Sequence, residues 1–256
     1  MNSVRSSGEG GGDALLLAID TSGALCAAGL YAGPTERARI VLDLGRGHAE
    51  RVVDVCADAL REGGAEWGDI ARIAVTVGPG SFTGIRAGVA AARGLALSLG
   101  VPAIGVTTLE VTDGPDGAPY VVALDARRGQ LYAQAFGVGG GVLSDPMVDA
   151  PDSLTGRLPS SIVHVVGSGA PALVEAMRAA GHETRVGERD GRPLTGAQPD
   201  IAAVAACAIR AGERARLPVP LYLRGADAKL PGGIDPSDRA AASGAMPSPA
   251  SSDRLR

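Results

Sequence analysis

The sequence predicts an α/β chain of two related lobes, each a mixed β-sheet flanked by helices. Three observations predict it. Strand-like and helix-like segments follow one another as β-β-β-α-β-α-β over residues 14–106. An apolar strand that ends in aspartate occurs twice, as Leu17-Ala18-Ile19-Asp20 and as Val122-Ala123-Leu124-Asp125, each time followed by a short turn and a second strand. The string Val77-Gly78-Pro79-Gly80-Ser81-Phe82-Thr83-Gly84-Ile85-Arg86 joins a buried strand to a helix through a tight turn.

In the first lobe, Ala14 to Ile19 is a buried strand ending in Asp20-Thr21-Ser22, and Leu25 to Tyr31 pairs with it across Ser22-Gly23. Arg39 to Leu44 is a third strand. His48 to Glu62 has the helical period, with Val52, Val55, Cys56 and Ala59 on one face, and Gly63-Gly64 stops it. Ala71 to Val77 is the next strand. Ser81 or Thr83 caps the helix 84–99 by accepting a first-turn amide, an arrangement that serves either an anion or an ordinary helix start. Pro102 to Val106 closes the lobe.

The second lobe spans 107–224. Tyr120 to Leu124 and Leu131 to Phe136 pair across Arg127-Arg128-Gly129. Ile162 to Val166 ends in Gly167-Ser168-Gly169. Pro171 to Ala180 is helical, Glu183 to Val186 is a short strand, and Asp200 caps a helix to Ala211 that is placed to pack back on the first lobe. Leu217 to Arg224 is extended and bounded by proline. Residues 1–13 and 225–256 have the polar, Gly-, Pro- and Ser-rich composition of disordered tails.

Composition narrows the function. Hydrophobic residues make up 45% of the chain and aromatics 3%, so the core is aliphatic and close-packed. A formal charge of −4 argues against autonomous tight binding to nucleic acid, and no DNA partner is expected. Cys26, Cys56 and Cys207 are scattered without CxxC spacing, as in a reducing cytoplasm. No apolar run has the length of a membrane helix, and His48, His164 and His182 lie on different elements, so no metal-ligand cluster is read. Gly84, Gly88 and Ala92 recur at i, i+4, i+8, with Ala91 and Leu95 beside them. Such a stripe admits a second helix closely or packs on the chain's own sheet.

The repeated strand–Asp–turn pattern resembles the actin, Hsp70 and sugar-kinase superfamily, whose duplicated lobes hold ATP phosphates between two hairpins. On that likeness Asp20, Thr21 and Ser22, with Asp125, Gly167 and Gly169, mark degenerate nucleotide or phosphate loops. The chain further resembles the TsaB (YeaZ) family of tRNA threonylcarbamoyladenosine biosynthesis proteins over roughly Leu15 to Arg224. The resemblance rests on Ala18-Ile19-Asp20-Thr21-Ser22, Gly47-His48-Ala49-Glu50-Arg51, Gly78 to Arg86, Arg93-Gly94-Leu95-Ala96, Leu124-Asp125-Ala126-Arg127-Arg128-Gly129, and Pro220-Leu221-Tyr222-Leu223-Arg224.

That resemblance implies a non-catalytic paralogue of TsaD, without catalytic residues or a metal. Thr108 and Thr112 stand where the paralogue carries its metal-binding histidines, and threonine is a poor ligand for a transition metal. It implies TsaD and TsaE as partners, a homodimer in the absence of TsaD, tRNA met only through the complex, no membrane, and no cofactor on this chain alone, with ATP confined to the complex interface. It also implies that His48, Val52, Cys56, Ala59, Gly84, Arg86, Gly88, Ala92 and Leu95 face TsaD or a second copy. Two other readings stay open: an ATP-dependent small-molecule kinase of the same fold, and a degenerate metallopeptidase-like hydrolase.

Overall fold

The computed structural model describes residues 14–212 and 216–223, and the expectations for 1–13 and 225–256 lie outside the described residues. In the first sheet, β1 (Leu15–Asp20), β2 (Leu25–Ala32), β3 (Thr35–Asp43), β4 (Ile70–Thr76) and β5 (Ala103–Val106) lie in the order β3-β2-β1-β4-β5. β1 to β3 pair antiparallel, and β1, β4 and β5 pair in parallel. β1 is buried along its whole length, which fits the aliphatic run Leu15 to Ile19 in the middle of a two-sided sheet. β3 is an exposed edge strand, and it starts at Thr35, earlier than its apolar pattern suggests, because its first residues are polar and solvent-facing.

The helices α1 (His48–Glu62) and α2 (Phe82–Leu99) lie side by side on one face of this sheet and enclose an aliphatic core with Leu17, Ile19, Leu30, Ile73 and Val75. α5 (Ile201–Ala211), capped by the Asp200 carboxylate on the Ala202 N–H at 2.8 Å, covers the opposite face. There Val204, Ala205 and Ala208 meet Leu16, Ala18, Ala74 and Ile104.

The second sheet is built from β6 (Tyr120–Asp125), β7 (Leu131–Phe136), β8 (Met147–Asp149), β9 (His164–Val166) and β10 (Arg185–Val186) in the order β10-β9-β6-β7-β8. Its first three strands pair antiparallel and β6, β9 and β10 in parallel. The topology of the first sheet is therefore repeated strand for strand: β6 takes the place of β1, β7 of β2 and β9 of β4. This is the duplicated two-lobe fold of the actin-like superfamily. α3 (Pro151–Thr155) and α4 (Ala170–Ala179) pack on the second sheet as α1 and α2 do on the first. β8, α3 and the small hairpin of β11 (Glu188–Arg189) with β12 (Arg192–Pro193) were not foreseen, since two to five residues are too few to show a period.

The extended segment 216–223 ties the lobes together. The Gly105 N–H donates to the Arg216 carbonyl and the Leu221 N–H to the Val77 carbonyl, each at 2.7 Å. Leu221 packs on the first-lobe core, and Leu223 packs with Leu109, Val122 and Phe136 in the second.

Candidate functional site

The glycine-rich string folds against the turn that follows β1. Asp20 is fully buried, and its Oδ1 accepts the Ser22 N–H at 3.0 Å and the Thr76 hydroxyl. Its Oδ2 accepts the Gln198 side-chain amide at 2.6 Å. The Ser81 N–H donates to the Ser22 carbonyl at 2.7 Å, and the Thr21 hydroxyl to the Gly84 carbonyl at 2.7 Å. Ser81, rather than Thr83, caps α2 by accepting the Gly84 N–H at 3.2 Å. A Cβ at Gly80 would fall on the Ser22 carbonyl, at Gly84 on the Thr21 carbonyl and at Gly88 on the Thr21 hydroxyl.

This overturns one expectation. Gly84, Gly88 and Ala92 are buried toward the chain's own β1 turn and sheet, and the buried face of α1 holds His48, Val52, Cys56 and Ala59. The small stripe is a contact of the chain with itself, because the turn after β1 comes too close to α2 for any side chain. Of the residues assigned to a partner, Arg86 is exposed and Leu95 half-buried.

The second hairpin repeats the local chemistry of the first. The Asp125 carboxylate accepts the N–H two residues on, that of Arg127, at 2.7 Å, as Asp20 accepts that of Ser22. The Asp125 N–H donates to the Ser168 hydroxyl at 3.0 Å. Gly167 has φ 95°, and a Cβ there or at Gly169 would meet Ala123. Asp125 is exposed, whereas at the first hairpin Gln198 seals the turn. The Gln198 side-chain Oε1 accepts the Leu25 N–H at 2.9 Å, and its Nε2 also donates to the Leu25 carbonyl at 3.0 Å. Nothing in the sequence marks Gln198, which reaches Asp20 from 178 positions away.

Thr108 is 2% exposed, and its hydroxyl has no hydrogen-bond partner among the described residues. The Thr112 hydroxyl donates back to the Thr108 carbonyl at 2.7 Å. Among the described residues no three His, Cys, Asp or Glu side chains gather as metal ligands. Cys26 and Cys56 are buried free thiols. Burial, with the Asp20 charge adding to it, pushes the Cys26 thiol up to about 11, so it stays protonated at neutral pH.

Outward, α1 and α2 show a different face. Val53 is 46% and Leu97 85% exposed. On α2, Ala90 and Gly94 are exposed with Ala87 and Ala91 half-buried beside them, and a Cβ at Gly94 would meet nothing within 4 Å. This second row of small residues is legible in the sequence of the same helix, beside the Gly84, Gly88 and Ala92 row.

The comparisons agree with this architecture. The family model described as "TsaD: tRNA N6-adenosine threonylcarbamoyltransferase" matches residues 43–184. The TsaB tRNA threonylcarbamoyladenosine biosynthesis protein of Escherichia coli is 33% identical over 233 residues, covering 85% of this chain and 98% of that protein. Its namesake in Bacillus subtilis is 33% identical over 138 residues, 52% of this chain and 60% of the relative. Among solved structures, YeaZ from Pseudomonas aeruginosa superimposes with a TM-score of 0.65 at 23% identity, covering 82% of this chain and 100% of the other. On the coverage and identity of these relatives, the chain belongs to the TsaB (YeaZ) family and takes part in tRNA threonylcarbamoyladenosine biosynthesis.

Proposed function

We propose that this chain is a non-catalytic scaffold that binds TsaD. With TsaE it supports transfer of the threonylcarbamoyl group from threonylcarbamoyl-AMP to N6 of adenosine at tRNA position 37. The observation that carries the reading is the outward face of α1 and α2. Leu97 on α2 is 85% and Val53 on α1 46% exposed, and α2 also presents the small residues Ala87, Ala90, Ala91 and Gly94, on which a second helix can seat closely. The fit of the transferase family model to residues 43–184 supports a partner of like fold, since two related lobes can present the same helix pair to one another. In the absence of TsaD the same face pairs two copies of this chain. Arg86 and Leu95 belong to this surface. The chain needs no cofactor of its own, ATP acts at the interface of the complex, and tRNA is met through TsaD.

The internal saturation of the Asp20 turn supports the scaffold over the kinase reading. The Asp20 carboxylate is committed to the Ser22 N–H, the Thr76 hydroxyl and the Gln198 amide, and the Ser22 carbonyl to the Ser81 N–H. The test is reconstitution of tRNA modification from purified TsaD, TsaE, threonylcarbamoyl-AMP and ATP, with and without this chain, together with co-elution of the chain with TsaD. Co-elution and modification only in the complete mixture are expected. Full activity without this chain, or modification by this chain alone, refutes the reading.

A further inference from the structure

At the start of α2 three side chains form one cluster. The Arg86 guanidinium lies 3.7 Å over the Phe82 ring and 5.5 Å from the Tyr222 ring centroid. Its Nε donates to the Tyr222 hydroxyl at 2.8 Å, and the two rings are 5.6 Å apart. Phe82 is 50% and Tyr222 49% exposed. Tyr222 is fixed from both sides, because Leu221 is anchored in the first-lobe core and Leu223 in the second. The cluster is therefore held in place by the tie between the lobes. Among the described residues no carboxylate lies within 4 Å of Arg86, so the paired Nη donors of the fork are uncommitted while its Nε and its face are held.

We propose that Phe82, Arg86 and Tyr222 form a preorganised receptor for a carboxylate side chain of the protein partner. It rests on the preceding reading, in which that partner is TsaD and α2 lies in the contact. A guanidinium whose Nε is spent and whose face is stacked keeps a planar pair of donors, the shape that a carboxylate accepts in two parallel bonds. Two half-exposed rings around an arginine are also the composition of an energetic centre in protein interfaces. A nucleic-acid phosphate fits less well. It calls for a track of cations, whereas α2 carries only Arg86 and Arg93 and the chain has a net charge of −4.

The experiment measures capture of TsaD from the same organism by the full-length chain, at low and high salt, for wild type, Arg86→Ala, Arg86→Lys and Tyr222→Phe. Thermal unfolding serves as the check that each variant is folded. Arg86→Ala is expected to lower the affinity ten- to a hundredfold and to abolish most of its salt dependence. Arg86→Lys should lose nearly as much, since an ammonium keeps the charge and loses the fork. Tyr222→Phe keeps the ring, frees the Nε, and should cost a few-fold. Unchanged capture by folded Arg86→Ala, or full rescue by lysine, overturns the proposal while the scaffold reading stands. So does a variant that loses only self-association, which makes the occupant a second copy, or one that loses only tRNA retention by the complex, which makes it a phosphate. Failure of the wild-type chain to capture TsaD removes the scaffold reading, and this proposal with it.

Discussion

Two glycines on α2 face opposite environments and predict opposite effects. At Gly84 a Cβ would fall on the Thr21 carbonyl, a backbone atom that cannot step aside. Gly84→Ala should destabilise the chain by about 1–3 kcal/mol, as overpacking does in a filled core. At Gly94 a Cβ meets nothing within 4 Å. Gly94→Ala should stabilise by about 0.5–1 kcal/mol through the helix preference of alanine. Urea denaturation of both variants checks the pair, and like signs would show that the helix is turned the wrong way. Asp200 gives a pH-dependent case. Burial raises its pKa, but the hydrogen bond from Arg39 at 2.8 Å, the Ala202 N–H and the Arg39 charge outweigh that and hold it below its ordinary 3.8. A lowered carboxylate pKa stabilises the fold above the unfolded value and stops doing so as pH falls through the folded one. Asp200→Asn should therefore cost about 0.5–1 kcal/mol at pH 7, the range of a solvent-exposed ion pair, and the difference from wild type should vanish as pH falls through the lowered folded pKa. Denaturation curves across that range measure it.

At the scale of the element, α2 carries two rows of small residues with separate duties. Gly84, Gly88 and Ala92 let the helix lie on the β1 turn. Ala87, Ala90, Ala91 and Gly94 stay at the surface with Leu97. Ala90→Arg or Leu97→Asp should leave the melting temperature within a few degrees of wild type, since surface changes of this kind rarely exceed about 0.5 kcal/mol. Each should weaken self-association and TsaD capture by tenfold or more, because a charge placed in a dry contact without a partner is costly. Sedimentation and capture assays read the two effects. Variants that associate as wild type does would move the interface off this face.

For the whole molecule, the decisive contacts join distant parts of the chain. Gln198 closes the first hairpin, and residues 216–223 reach both cores. Gln198→Ala should cost about 1–3 kcal/mol, since it removes a donor from the buried Asp20 carboxylate and both partners from the Leu25 backbone. Chemical denaturation tests this, and a neutral result would show that water replaces the amide. The chain has two hairpins with matching Asx turns, at Asp20 and at Asp125. At the first of them its own side chain occupies the space above the turn, where a Cβ at Gly23 would meet Gln198.

What the sequence determined by itself were the features that repeat locally. The helical period of His48–Glu62, the Asp200 cap, the apolar run Leu15 to Ile19 of β1, and the two strand–Asp–turn units that predicted a duplicated fold are all written in neighbouring residues, where backbone geometry leaves few choices. Short elements such as β8 and α3 escaped because three to five residues are too few for a period to repeat. Only the tertiary structure decided which small row of α2 faces inward, that Gln198 meets Asp20, and that Tyr222 sets Arg86 against Phe82. Those outcomes depend on how distant segments pack, and contacts between residues more than sixty positions apart leave no periodic trace in the chain that makes them.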